Sequence, residues 1–429
     1  MAVRAAGAAA RSRLERARRE AMRAVMAARP GLEARADRHT LRVLSAFRAV
    51  GLAASDLGPS TGYGYDDPGR TKLEAVWAGL TGAEAALVRT HIASGTAAVS
   101  LMLFAAARPD SEVLVATGPP YDTVARVLDG SPGALSSWGV RHRVLPFPEG
   151  TEEASLAAAL RPETACVLVQ RSRGYARRPA LGAAAIGRLA QAVHAVRPDV
   201  AVVVDNCYGE FVEDEEPTAC GADAIAGSWV KNPGGGLAAA GGYVAGRADL
   251  VARAAARLHG PGQGAEVGAE PGGHRLRFQG LLLAPRAVAE ALAAGVYASA
   301  LFHALGFAVD PLPGGERRDL VTRVELGGRQ ALEAAAQAVQ RWSPVDSRAR
   351  PEPQAMPGYS DPVLMAAGTF VQGAGLELTA DAPMRPPWDL FLQGGLSLAA
   401  ARAAVDAAAA AALGLGDGAG AADGEEGGE

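Results

Sequence analysis

Short apolar runs, many of them β-branched, alternate along this chain with helix-like stretches rich in Ala and Leu, and that alternation limits the fold more than any other feature. The runs are Ala86-Leu87-Val88, Val113-Leu114-Val115, Val167-Leu168-Val169, Ala201-Val202-Val203-Val204 and Ala224-Ile225-Ala226. Such a pattern predicts a mostly parallel sheet wrapped by helices. In sheets of this kind a ligand sits at the carboxyl ends of the strands, where Gln170, Asp205 and Ser228 fall. A helical segment over residues 278–305 leads into Phe307-Ala308-Val309 and residues 320–326, which read as strands. At 429 residues the chain exceeds one typical core, so a large and a small domain are expected. The predicted division is a helical arm over residues 1–60, a large domain over 61–305, a small α/β domain over 306–413 and a disordered acidic tail over 414–429.

One predicted strand ends in an acid, Val204-Asp205-Asn206, and 26 positions later Lys231 stands in Gly227-Ser228-Trp229-Val230-Lys231-Asn232-Pro233-Gly234-Gly235-Gly236. A lysine among small and apolar residues, paired with such an aspartate, is what pyridoxal 5'-phosphate (PLP) chemistry requires. The amine condenses with the cofactor aldehyde, and the aspartate keeps the pyridine nitrogen protonated so that the ring takes up electrons. Ser94-Gly95-Thr96 leads into an apolar helical stretch, and the free N–H groups of a helix N-terminus make a ready phosphate site. Ser228 offers a further hydroxyl to the same phosphate, and Tyr121, in Gly118-Pro119-Pro120-Tyr121-Asp122-Thr123, offers an aromatic face to the pyridine ring. The glycines after Lys231 suit a turn that lets backbone pass close to the cofactor.

Several other chemistries are excluded. The net charge of −4 gives no reason to expect nucleic acid. Cys166, Cys207 and Cys220 form no CxxC pair and no metal-ligand spacing, there is no HExxH, and a reducing compartment, the cytoplasm, is expected. Neither a GxGxxG after a strand nor a GxxxxGK[ST] occurs. The Ala-rich stretch over residues 396–413 is interrupted by Arg402 and Asp406 and reads as a helix rather than a membrane span. Glu15 and Glu20 fit a surface helix better than an acid-poor transit peptide. His91 beside the phosphate turn suits packing or hydrogen bonding better than proton shuttling.

Six longer stretches, in order along most of the chain, carry a resemblance: Gly62-Tyr63-Gly64-Tyr65-Asp66-Asp67-Pro68-Gly69-Arg70, Gln170-Arg171-Ser172-Arg173-Gly174-Tyr175, residues 204–211, residues 231–236, Ser343-Pro344-Val345-Asp346-Ser347 and residues 367–373. With the Ser94-Gly95-Thr96 turn, they resemble the methionine gamma-lyase-related, "aluminium resistance" family of PLP enzymes, a branch near the cystathionine beta- and gamma-lyases. The resemblance implies PLP fold type I, Lys231 as the cofactor lysine, and carbon–sulfur lyase activity on a small sulfur amino acid. It also implies that Tyr65 and Arg70 reach a neighbouring subunit's phosphate, so that sites are shared in a homodimer or homotetramer. An amino-acid substrate brings a carboxylate, best held by a guanidinium. Related enzymes keep that arginine in the small domain, which points to Arg385, with Arg171 and Arg173 as strand-end candidates. The cystathionine-type lyases carry a hydroxyl residue before the lysine and no Asn-Pro-Gly-Gly-Gly after it; here Val230 precedes Lys231. An aminotransferase or aldolase on the same scaffold, and a PLP-binding stress protein with little turnover, are the competing expectations.

Overall fold

The computed structural model describes residues 2–415, with side chains from residue 7 onward; the expected acidic tail lies almost wholly outside them. Among the described residues twelve strands are formed: β1 (Ala85–Arg89), β2 (Glu112–Val115), β3 (Arg141–Val144), β4 (Thr164–Gln170), β5 (Ala201–Asp205), β6 (Ala224–Ser228), β7 (Gly242–Gly246), β8 (Ala308–Asp310), β9 (Thr322–Glu325), β10 (Val363–Ala366), β11 (Thr379–Pro383) and β12 (Asp389–Gln393). Ten helices accompany them: α1 (Ala2–Ala49), α2 (Pro68–Thr81), α3 (Gly95–Ala106), α4 (Asp122–Leu128), α5 (Glu153–Ala158), α6 (Ala183–Val196), α7 (Ala248–His259), α8 (Arg275–Ala304), α9 (Arg329–Arg341) and α10 (Leu398–Ala412).

The described residues form two compact units, residues 35–286 and residues 2–34 with 287–415. The larger holds a seven-stranded sheet of order β1-β7-β6-β5-β4-β2-β3. Strands β3, β2, β4, β5 and β6 run parallel, whereas β7 is antiparallel to both β6 and β1. Valines dominate β5, and Val202, Val203 and Val204 are all fully buried, as expected of a strand covered on both faces. Local signals set the flanking helices. Asp67 caps α2 by accepting from Arg70 N–H at 2.9 Å with Pro68 in the first turn, and Gly82 ends it at φ +69°. Ser94 caps α3 by accepting from Ala97 N–H at 3.1 Å.

The smaller unit carries a five-stranded antiparallel sheet, β10-β11-β12-β9-β8. Its division from the larger unit falls at residue 287 rather than 306, because α8 runs on unbroken and buries Tyr297, Leu301 and Phe302 in the smaller unit's core. The first residues are likewise no separate arm: Leu14, Ala17, Ala21 and Val25 of α1 lie in that same core with Ala404 and Ala408. Helix α8 is long and apolar enough to cross a membrane, but 72% of its most apolar window is buried, as in the core helix of a globular unit.

Candidate active site

Register places the first pair of functional groups. Gln170 and Asp205 are directly paired at the ends of neighbouring parallel strands β4 and β5. The Gln170 amide bridges two elements: its Nε2 donates to Asp205 Oδ2 at 3.1 Å, and its Oε1 accepts from the Tyr121 N–H at 2.8 Å. Asp205 Oδ1 accepts from the Cys207 N–H at 3.3 Å, so both carboxyl oxygens are oriented from within the same unit. Tyr121, just before α4, stands edge-on to Tyr175 at 5.2 Å between ring centroids. Gly174, at φ +54°, packs on its ring, where a Cβ would come within 2.7 Å of Tyr121 Cδ2. Sequence reasoning noted Gln170 only as a strand end; the one signal for its role was a polar residue closing an apolar strand beside Asp205.

Lys231 follows β6 by three residues, and its Nζ lies 3.9 Å from the centroid of the Tyr208 ring. The chain has only two lysines. Lys72 is held by Asp56 at 2.7 Å and by the Gly51 carbonyl at 2.8 Å, which leaves Lys231 as the amine available for chemistry. Burial works against charge on Lys231, yet Cys207, Tyr208, Asp205 and Glu210 crowd round it and raise its proton affinity. The glycines that follow serve packing: a Cβ on Gly235 would lie 2.1 Å from the Gly280 carbonyl of α8, and one on Gly280 would lie 2.1 Å from the Gly234 carbonyl. Gly235 is thus required by its close approach to the α8 backbone.

The start of α3 abuts these strand ends. A Cβ on Gly95 would come within 2.9 Å of Cys207 Sγ and 3.4 Å of Ser228 Cβ, so a glycine keeps the helix N-terminus, buried Ser228 and Cys207 together. The N–H groups of Gly95 and Thr96 have no intrahelical acceptor and form a cradle for an anion. Thr96 Oγ1 pairs with Thr123 Oγ1 at 2.7 Å. His91 Nε2 lies 2.7 Å from His259 Nε2, and burial together with His259 pushes His91 down to about 4, which suits a hydrogen-bonding role.

The arginines separate sharply. Arg171 is fully buried; its Nη1 donates to Asn206 Oδ1 at 2.8 Å and Glu216 Oε2 at 3.0 Å, and its Nη2 to Glu213 Oε2 at 2.7 Å. Its proposed share in substrate binding is corrected accordingly, since the guanidinium points into a buried acidic cluster. Arg70 is also engaged within its own chain, donating to the carbonyls of Gly64 (2.7 Å), Gly268 (2.9 Å) and Glu266 (3.1 Å). It therefore braces the turn-rich segment instead of reaching outward, whereas Tyr65 on that segment is 60% exposed and Tyr63 69%. Arg173 is buried in the loop after β4. Arg385, in the smaller unit, pairs with Asp361 at 2.7 Å and stays partly exposed.

Known proteins place this arrangement in a family. A sequence profile described as methionine gamma-lyase matches residues 14–413. The chain belongs to the methionine gamma-lyase family. A crystal structure from Listeria monocytogenes, described provisionally as a cystathionine beta-lyase involved in aluminum resistance, is 41% identical, covering 92% of this chain and 99% of that one at a TM-score of 0.88. A carbon–sulfur lyase involved in aluminum resistance from Clostridium novyi is 36% identical over 92% of this chain and 95% of that one, with a TM-score of 0.87. The uncharacterized Bacillus subtilis protein YnbB is 40% identical over 380 residues, 87% of this chain and 90% of that protein. At 18% identity and a TM-score of 0.58, the PLP-dependent protein YhfS of Escherichia coli shares the fold alone, covering 86% of this chain and 96% of that one. The methionine gamma-lyase family is a family of carbon–sulfur lyases, with cystathionine beta-lyase-like members.

Proposed function

We propose that this member of the methionine gamma-lyase family is a PLP-dependent, cytoplasmic enzyme that eliminates a sulfur-bearing group from the β- or γ-carbon of an amino acid. The observation that carries the reading is the convergence of the Lys231 amine, the Asp205 carboxyl and the open N-terminus of α3 at adjoining strand ends. The donor set fits the cofactor. The N–H groups of Gly95 and Thr96, with the hydroxyls of Ser94 and Ser228, suit its phosphate. Asp205, oriented by Gln170, suits a protonated pyridine nitrogen, and Tyr121 suits the ring face.

When bound, PLP supplies an electron sink for the negative charge that proton removal leaves at the substrate α-carbon. Lys231 would hold the cofactor through its amine, and its nitrogen, when free, would serve as the general base for the α-proton. Asp205, Cys207 and Tyr208 around it favour the protonated lysine that results. Asp205 would pair with the ring nitrogen, with Gln170 and the Cys207 N–H restraining both its oxygens. The substrate carboxylate is assigned to Arg173 or Arg385, now that Arg171 is accounted for. Exposed Tyr65 is assigned to a neighbouring subunit's site in a homodimer or homotetramer.

The test is an assay of purified protein with PLP against cystathionine, cysteine and methionine, reading thiol, ammonia and 2-oxo acid together. All three products in equal amounts are expected from at least one substrate. Amino transfer to an acceptor without ammonia, release of an aldehyde, or no turnover would each refute the elimination.

A further inference from the structure

Five residues after Asp205, Glu210 carries a second carboxyl near Lys231. Glu210 is fully buried. Its Oε1 accepts from the Tyr243 hydroxyl at 2.7 Å, and that hydroxyl in turn accepts from Asn206 Nδ2 at 3.3 Å. Space for the pair comes from a missing side chain: a Cβ on Gly227, in β6, would lie 2.7 Å from both Glu210 Oε1 and the Tyr243 hydroxyl oxygen. The peptide carbonyl of Glu210 accepts from Asn232 Nδ2 at 2.9 Å, which ties Glu210 to the residue directly after Lys231.

We propose that Glu210 is a positioning residue for Lys231: its carboxyl, held by Tyr243 against β6, sets how strongly the lysine nitrogen holds a proton. The inference rests on the assignment of Lys231 as the cofactor lysine and deepens it. Among the described residues Glu210 Oε2 has no hydrogen-bond partner, and a buried carboxylate with one bare oxygen is costly, so the neutral acid is favoured. Burial pushes Glu210 up to about 8, against the pull of the Tyr243 hydroxyl and Lys231 and with the push of Glu216. The groups around it are Tyr243 from β7, Glu216, Cys207 and Asn206 from the loop after β5, Arg171 from the end of β4 and Lys231 from the turn after β6. Neutral Glu210 leaves Lys231 the weaker hold on its proton; ionised Glu210 strengthens it. The protonation of the carboxyl and that of the lysine are thus coupled.

The experiment compares the PLP-loaded wild type with Glu210→Gln, which keeps the shape and an acceptor for Tyr243. The pH titration of the visible band of the bound cofactor, the pH profile of kcat, KM and the thermal midpoint are measured together. In Glu210→Gln the titration should move down by about one pH unit, a tenfold loss of proton affinity, with kcat following and KM unchanged. Tyr243→Phe, which removes the bond that favours ionised Glu210, should move it in the same direction by less. A Glu210→Gln protein of unaltered thermal midpoint that titrates like wild type, or that changes KM alone, overturns the proposal. Should that variant not fold, an unshifted titration in Tyr243→Phe overturns it. A wild type with no visible band, or one that survives in Lys231→Ala, overturns both this proposal and the cofactor assignment on which it rests.

Discussion

Replacing Arg171 by Met separates a structural arginine from a substrate-binding one. The guanidinium bonds three acceptors at 2.7–3.0 Å, two of them carboxylates, Glu213 and Glu216, with no solvent access of its own. Burial alone would weaken its charge, but Glu216 and Glu213 more than offset that and raise its proton affinity. Met fills much of the volume but leaves two carboxylates without their cation, and breaking a buried pair in this way costs about 3–5 kcal/mol. At roughly 2 °C or more per kcal/mol for a unit of this size, the thermal midpoint should fall by about 6–10 °C. Calorimetry and urea titration of the holoenzyme measure this, alongside KM for the sulfur amino acid. The triple variant Arg171→Met, Glu213→Gln, Glu216→Gln should regain much of the loss, because a neutral cluster no longer needs the cation. A single variant with an unchanged midpoint and a KM raised by tenfold or more would refute the reasoning and return Arg171 to the substrate.

Asp205→Asn should keep part of its cofactor, measured by visible absorbance, yet lose most turnover; undiminished kcat would remove Asp205 from its assigned role. Gly95→Ala brings a methyl to 2.9 Å from Cys207 Sγ and should weaken PLP binding at least tenfold by equilibrium dialysis, with unchanged binding refuting the cradle. Mixing Tyr65→Ala chains with Lys231→Ala chains under exchange conditions should restore part of the activity, since some mixed assemblies hold one site with both residues intact. No recovery despite proven exchange would show that Tyr65 serves its own chain.

The parallel core was legible because its strands are runs such as Val202-Val203-Val204, which have no other comfortable place than a doubly covered sheet. Strand β3, Arg-His-Arg-Val, escaped because it is an edge strand, where exposed charged residues are tolerated. Strand β7 escaped for the opposite reason. It is wholly buried but bounded by Gly242 and Gly246, whose Cβ atoms would strike Ile92 and the Asp223 carbonyl, and glycines read as turns in a bare sequence. In the site, Lys231 and Asp205 were visible from residue type and spacing. The Gln170 bridge depends on strand register, and the Glu210–Tyr243 pair on a β7 strand that the pattern did not reveal. Arg171 looked the same as a ligand-facing arginine because the acids that hold it sit in Glu213-Asp214-Glu215-Glu216, which reads as a solvated charge run. Nothing short of tertiary structure distinguishes the two.

The central claim is that Lys231 holds the cofactor, and with two lysines in the chain the test is nearly binary. Protein loaded with PLP is reduced with borohydride, digested, and its peptides mapped by mass. The account predicts the pyridoxyl mass on the peptide containing Lys231, at close to one per chain, and none on the peptide containing Lys72. Label on Lys72, or on neither lysine after loading, would contradict it.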